Sequence, residues 1–162
     1  MATPAVQVAG LAEIKIALAG GALQVLGYTR QGAQISADGF FENVPGDENG
    51  GDAGPPVDVQ YLGEIARVRL ELTKWVAAVA DQVVTRVSGA TTGRPSPAGT
   101  LMFADSKQFR VVVNSPTTPL NFPRCIVRAP YEINKGTVYS RLVLEFEAHK
   151  DSSGVLFNST VT

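Results

Sequence analysis

Between Ile65 and Val87 the spacing of the apolar residues changes from every second position to every third or fourth position. In Ile65–Leu72, apolar residues alternate with charged ones, which is typical of a strand with one buried face and one charged face. From Val76 onward the apolar residues recur with the period of an amphipathic helix. This second pattern is the strongest periodic signal in the chain, so the sequence predicts one clear helix.

The predicted helix spans about residues 74–88. Thr73 is a candidate N-cap, because its hydroxyl can accept a hydrogen bond from a free backbone N–H, and Gly89 is a candidate terminator. The apolar stripe of the helix contains Val76, Val79, Ala80, Val83, Val84 and Val87. Most of these residues are β-branched, so packing rather than intrinsic propensity must stabilise the helix.

Outside this helix, short extended segments bounded by Gly, Pro and Asn predict strands. The predicted strands are Glu13–Leu18, Leu23–Thr29, Ala33–Val44, Val57–Tyr61, Ile65–Leu72, Thr100–Phe103, Gln108–Asn114, Arg124–Ile133, Tyr139–His149 and Val155–Val161. About eight to ten strands and one helix predict a mainly β protein, a β-sandwich or barrel with the amphipathic helix packed against it. The 162 residues fit one structural domain, with candidate arms at residues 1–10 and 151–162.

Residues 45–56 read Pro-Gly-Asp-Glu-Asn-Gly-Gly-Asp-Ala-Gly-Pro-Pro. Proline lacks the backbone donor that helices and sheets need, and glycine loses much conformational entropy when it is ordered. The segment is therefore predicted to be a loop. At about a dozen residues it has nearly the length at which a loop in a compact domain usually has a function or is disordered.

The charge balance gives no general attraction for nucleic acid, since 14 basic residues face 15 acidic ones. We therefore expect no sequence-specific nucleic-acid binding. The longest uncharged stretch is short and interrupted by Gly20 and Gly21, so we expect no membrane span. The start of the sequence lacks the features of a signal peptide, and the single Cys125 cannot form an intrachain disulfide. These features favour folding in a reducing cytoplasm.

Candidate catalytic residues are few, because His149 is the only histidine and Cys125 the only cysteine. A Ser-His-Asp or Cys-His arrangement would have to use them, and Arg124 and Arg128 could lower the pKa of the thiol. The simpler interpretation is a half-buried strand cysteine and a solvated histidine. The sequence contains no phosphate-binding loop with its lysine and no Gly-x-Ser-x-Gly motif. We predict no catalytic residue and no cofactor, so the chain is not expected to be an enzyme.

The acidic loop is the one candidate metal site. Asp47, Glu48, Asn49 and Asp52 offer the oxygen ligands that Ca²⁺ prefers, although their spacing does not match an EF-hand. A solvated loop, or one that pairs with a basic neighbour, is the alternative, and we predict no metal.

A charged strand face is a candidate for contact between subunits, since such a face can complement a matching face on a neighbour. The alternative is the solvated side of a sheet. The candidate residues are Arg67, Arg69, Glu71, Arg141, Glu145 and Glu147.

Several segments resemble virion structural proteins of tailed bacteriophages. The run from Val44 to Trp75 (VPGDENGGDAGPPVDVQYLGEIARVRLELTKW) carries the resemblance most clearly, and Gly99–Phe103, Asn121–Pro123 and Asn134–Val143 are similar to later parts of the same proteins. The likeness covers roughly Gly27 to His149. The order of strands, long loop, strand, helix and strands resembles the tail tube family in particular.

The resemblance implies a self-assembling virion protein that is made in the host cytoplasm. It implies stacked hexameric rings that form a tail tube through which DNA passes during ejection. Its partners would be itself and other tail proteins, such as sheath, tape measure, baseplate or terminator. The long loop would contact the next ring, through candidate residues Pro45, Asp47, Glu48, Asn49, Asp52, Pro55 and Pro56.

Other functions are alternatives at this point. A neck or tail-terminator ring or a capsid decoration protein would be a different virion part. A small β-sandwich enzyme or carbohydrate-binding module is a different class and would need polar groups around an apolar pocket. Trp75, the only tryptophan, is expected at the start of the helix, packed in the core rather than stacked on a sugar.

Overall fold

The computed structural model describes residues 10–18, 20–47, 50–86, 98–104, 107–114, 119–127, 131–136 and 140–159. Its helix is α1, Ala77–Thr85, and a short 3₁₀ turn covers Gly51–Ala53. Its strands are β1 Glu13–Leu18, β2 Gln24–Val44, β3 Asp58–Trp75, β4 Phe109–Asn114, β5 Leu120–Ile126, β6 Glu132–Asn134 and β7 Arg141–Ala148.

All seven strands of the described part belong to one antiparallel sheet. The sheet closes on itself because β3 pairs with β2 along one edge and with β7 along the other. The circuit then returns from β7 through β5, β4 and β1 to β2. The short β6 adds to the edge of β7 that β5 also uses. The predicted mainly β fold, in its barrel form, is confirmed.

The core fills the inside of this closed sheet. Alternate residues of each strand point inward, as the predicted pattern of residues 65–72 requires: Ala66, Val68, Leu70 and Leu72 are all buried. Three phenylalanines are fully enclosed, and the rings of Phe109 and Phe146 meet edge to face at 5.8 Å. The helix contributes Val79, Ala80 and Val83 to the same cluster of buried residues.

The helix is shorter than predicted and begins later. Lys74 and Trp75 are the last residues of β3, because their backbone pairs with Tyr28 and Gly27 of β2. Val76 precedes the helix without a side-chain cap, so the predicted Thr73 cap is wrong, and Arg86 ends the helix in a left-handed conformation. Gly89 and Val87 lie outside the described residues. Within the described part of the chain, no helix is long and apolar enough to cross a membrane.

The structure has fewer strands than predicted because two pairs of predicted strands are continuous. Gly32 and Gly63 lie between the predicted strands of each pair, and they adopt positive φ angles of 86° and 136° inside β2 and β3. Each lies beside an irregularity in the β2–β3 pairing, where glycine tolerates a backbone that other residues resist. The predicted strand Thr100–Phe103 is wrong, since Met102 and Phe103 form a turn.

The later segments differ in detail from the sequence pattern. Strand β5 spans Leu120–Ile126, so it begins and ends earlier than the predicted strand Arg124–Ile133 and includes Pro123. The described part of the candidate C-terminal arm folds back on the sheet, where Asn158 bridges to Asn121 and Leu156 is buried. The candidate N-terminal arm lies almost wholly outside the described residues, apart from Gly10.

Replacing Gly27 with alanine is expected to destabilise the protein by about 1–3 kcal/mol, the usual cost of overpacking. A Cβ at this position would overlap the carbonyl oxygen of Lys74 and the Cα of Trp75, where β2 and β3 meet. Gly10→Ala is the matched control, because a Cβ there meets no atom of the described residues within 4 Å. Thermal and urea unfolding monitored by circular dichroism measure the difference, and equal stabilities of the two variants would contradict this account.

Candidate interaction surface

Strands β2 and β3 continue well past the closed part of the sheet. The last pair between β3 and β7 is Ala66 with Ala148, whereas β2 and β3 remain paired as far as Val44 and Asp58. We call the paired residues 38–44 of β2 and 58–65 of β3 the ribbon. Among the described residues, neither outer edge of the ribbon pairs with another strand.

The ribbon exposes large apolar side chains on both of its faces. Phe40 is 50% exposed and Phe41 is 62% exposed, and consecutive residues of a strand point to opposite faces. Tyr61 shares the face of Phe41, and their ring centroids are 5.5 Å apart. The other exposed apolar residues of the ribbon are Val44, Val59 and Leu62. Lys150 lies over the Tyr61 ring, with its Nζ 5.7 Å from the ring centroid, but these apolar side chains of the ribbon remain 37% to 62% exposed. Such exposure is unusual for so many apolar side chains in a monomer.

The predicted loop, residues 45–56, connects the two strands at the far end of the ribbon; we call it the tip loop. Its described residues are linked by backbone hydrogen bonds, from Gly51 N–H to Gly46 at 3.1 Å and from Gly54 N–H to Gly51 at 3.2 Å. Its candidate contact residues Pro45, Asp47, Asp52, Pro55 and Pro56 are all exposed, and Glu48 and Asn49 lie outside the described residues.

The charged face of β3 and β7 is only partly exposed. Arg67 forms an ion pair with Asp38 at 3.0 Å. Arg67 and Arg69 lie opposite Glu147 and Glu145 in the register of β3 and β7, but Arg69 forms no ion pair among the described residues. Glu147 differs from the expectation for this face because it is buried, at 6% exposure.

Glu147 is buried because His149 and its surroundings cover it. Its carboxylate lies 2.7 Å from Nε2 of His149, which is itself mostly enclosed rather than solvated. The ring of Phe103 contacts the imidazole edge to face, with centroids 4.7 Å apart, and the Arg124 guanidinium lies 4.9 Å from the centre of that ring. This arrangement indicates a packed structural role for the histidine.

Cys125 is fully buried in the core. Desolvation raises the pKa of its thiol, and this outweighs a backbone hydrogen bond from Val111 that acts in the opposite direction. The expectation that Arg124 and Arg128 would lower this pKa is wrong, because burial dominates. A thiol of this kind is protonated and unreactive at neutral pH.

No group of three or more potential metal ligands occurs among the residues that the structure describes. Asp47 and Asp52 lie on the tip loop with exposed side chains, and the other two candidate ligands fall outside the described residues.

A second surface feature was not foreseen from the sequence. A cleft of about 600 Å³ lies on the outer face of the sheet at the base of the ribbon, and we call it the basic cleft. It is lined mainly by Arg30, Gln31, Gln34, Arg69, Glu71 and Arg141. These side chains come from three strands, so no local sequence pattern could have grouped them.

Thr29 holds one wall of the basic cleft in place. Its buried hydroxyl accepts hydrogen bonds from the backbone N–H of Gly32 at 2.9 Å and of Ala12 at 3.1 Å. These bonds support the outward turn of β2 at Arg30, Gln31 and Gly32, where the pairing with β3 is interrupted.

Comparison with known proteins finds no match by sequence. No protein-family model matches the chain, and no curated protein matches it. Among solved structures, one similar chain comes from a structure described as the tail of an empty GTA particle computed with helical refinement and C6 symmetry. The identity is 11%, the TM-score is 0.47, and the match covers 93% of this chain and 96% of the other.

Thr29→Val is expected to lower the free energy of unfolding by about 1–3 kcal/mol, because two backbone donors lose their acceptor while the side-chain volume is conserved. Thr73→Val is the matched control, since Thr73 is an exposed residue of β3. Urea unfolding of the two variants provides the measurement. If both variants unfold at the same urea concentration, Thr29 does not support the cleft wall as described.

Proposed function

We propose that this protein is a non-catalytic structural component of a phage-type virion tail and assembles with copies of itself. In the specific form of the proposal, the copies form stacked hexameric rings that make a tail tube through which DNA passes. The closed sheet is the scaffold of each subunit, and the ribbon is the element that contacts other subunits.

The observation that carries the proposal is the ribbon. Its outer edges pair with no strand of the described part of the chain, and apolar side chains are exposed on both of its faces, Phe40 on one and Phe41 on the other. A two-stranded hairpin is marginally stable by itself, and exposed strand edges are templates for pairing with another chain. Assembly with other copies supplies both the missing hydrogen bonds and the missing apolar cover.

A repeating assembly suits this geometry better than a single small partner. Among the described residues, no strand pairs with either outer edge of the ribbon. Apolar side chains on both of its faces are about half exposed, so contacts on opposite sides are available at the same time. A contact that uses two different surfaces of the same molecule produces rings or filaments rather than closed pairs. The segment that most clearly resembles phage virion proteins, Val44–Trp75, contains the tip loop and the β3 half of the ribbon.

The chemistry of the described side chains supports a structural rather than catalytic role. The thiol of Cys125 is enclosed in the core. His149 is engaged by a buried carboxylate and an aromatic ring. The basic cleft is polar and open rather than an apolar pocket with a few convergent polar groups, which is the usual form of a small-molecule site.

The double variant Phe41→Ser/Leu62→Ser is expected to abolish self-assembly without unfolding the subunit, because both side chains are more than half exposed. Size-exclusion chromatography with multi-angle light scattering, together with negative-stain electron microscopy, measures assembly of the full chain. Leu101→Ser is the control, as Leu101 is 77% exposed but lies outside the ribbon.

The wild type and the control are expected to form rings or tubes, while the ribbon variant remains monomeric. The proposal would be refuted if the wild-type protein is monomeric at high concentration and is absent from the tail of the particle whose genome encodes it. Rings found at the neck, or trimers found on the capsid, would refute the tube and leave a different virion role.

A further inference from the structure

The structure places opposite charges at the two ends of the ribbon. The basic cleft at its base contains three arginines and one glutamate. The tip loop contains Asp47 and Asp52, both exposed. We infer that the tip loop of one copy docks in the basic cleft of a second copy, an inference that rests on the self-assembly proposed above.

Two of the three arginines in the cleft have no side-chain partner in the part of the chain that the structure describes. Arg141 is held by Glu132 at 3.1 Å and by Glu71 at 3.8 Å. Arg30 and Arg69 have no hydrogen bond or ion pair through their side chains with the described residues. These two guanidinium groups are therefore available to carboxylates, which arginine binds through two parallel hydrogen bonds.

The tip loop supplies matching anionic groups. The side chains of Asp47 and Asp52 have no ion pair among the described residues. The backbone hydrogen bonds that join Gly46, Gly51 and Gly54 shape this part of the loop before any partner binds. A loop that is already shaped loses less conformational entropy when it docks.

The tip loop cannot reach the cleft of its own subunit. The ribbon and the strands that lead to it stay paired from Ala33 to Val44. At ~3.4 Å per residue this places the tip roughly 37 Å from the cleft. Since charges in physiological salt are screened over about 8 Å, the two sites of one copy do not attract each other appreciably. The charges can meet only between copies.

Docking of this kind repeats without limit, because every copy carries one tip loop and one basic cleft. Each contact uses two different surfaces, which is the condition for a ring or a stacked, open-ended assembly. The offset between successive copies is set by the length of the ribbon. The cleft would therefore be the receptor that fixes how one copy follows the next.

Charge reversal in two separate chains tests the inference. One variant is Arg30→Glu/Arg69→Glu, with a reversed cleft, and the other is Asp47→Lys/Asp52→Lys, with a reversed tip loop. Each is expected to raise the protein concentration required for half-maximal assembly by at least about tenfold, because two attractions become repulsions. Lys74→Glu is the control, as Lys74 is exposed and lies outside both sites. Circular dichroism confirms that every variant is folded.

The decisive sample is an equal mixture of the two charge-reversed proteins. In the mixture, the normal loop of the first protein meets the normal cleft of the second, and the two reversed surfaces meet each other. Assembly is expected to return to within about threefold of the wild-type concentration, and to weaken with added salt. A defect confined to one subunit would not be corrected by mixing.

The remaining outcomes separate this inference from the function on which it rests. If the charge-reversed proteins assemble as well as the wild type, the docking site is wrong and self-assembly stands. If each fails alone and the mixture also fails, the docking site is again wrong. If the wild type does not assemble under any condition tested, both the proposed function and this inference are overturned.

Discussion

The pairing of β3 with two different strands determines the rest of the structure. Along residues 66–72 its backbone is bonded on both edges, to β2 and to β7, and this closes the sheet around the core. Along residues 58–65 it is bonded to β2 alone, so the same strand leaves the barrel and becomes half of the ribbon. One continuous strand thus connects the stable interior of the subunit to its least covered surface.

This arrangement separates two tasks along the chain. The closed part buries its apolar residues inside one subunit, and α1 adds its own stripe to the same core. The ribbon carries apolar residues that are only partly covered within the subunit, and its tip carries acidic groups. A protein whose surface is completed by other copies of itself has this distribution of stable core and uncovered edge.

Much of the fold can be predicted from the sequence. The spacing of apolar residues within a single segment, at every second position or with a helical period, shows which of its residues are buried. The inward residues from Ala66 to Leu72 and the stripe of α1 were predictable for this reason. The start of the helix was not, since the backbone of Lys74 and Trp75 is held in the sheet by Gly27 and Tyr28. Tertiary pairing there overrides the local pattern.

The candidate surfaces could be predicted from the sequence only where their residues are close together in the chain. The Pro, Gly and Asp content of the tip loop identifies it as a loop. The two strands of the ribbon flank this loop directly in the sequence. The basic cleft joins Arg30, Arg69 and Arg141 from three strands, and Glu147 is buried by a histidine two residues later. Such groupings depend on strand order and register, which a single sequence does not specify.

If other copies cover the ribbon when the protein assembles, amide hydrogen exchange of the full chain will detect the change. Peptides that contain residues 33–44 and 58–65 are followed in dilute monomer and in concentrated assembly. Exchange in these peptides is expected to slow strongly on assembly, while exchange in β4, residues 109–114, stays unchanged. Unchanged exchange in the ribbon, with protection appearing elsewhere on the surface, would contradict it.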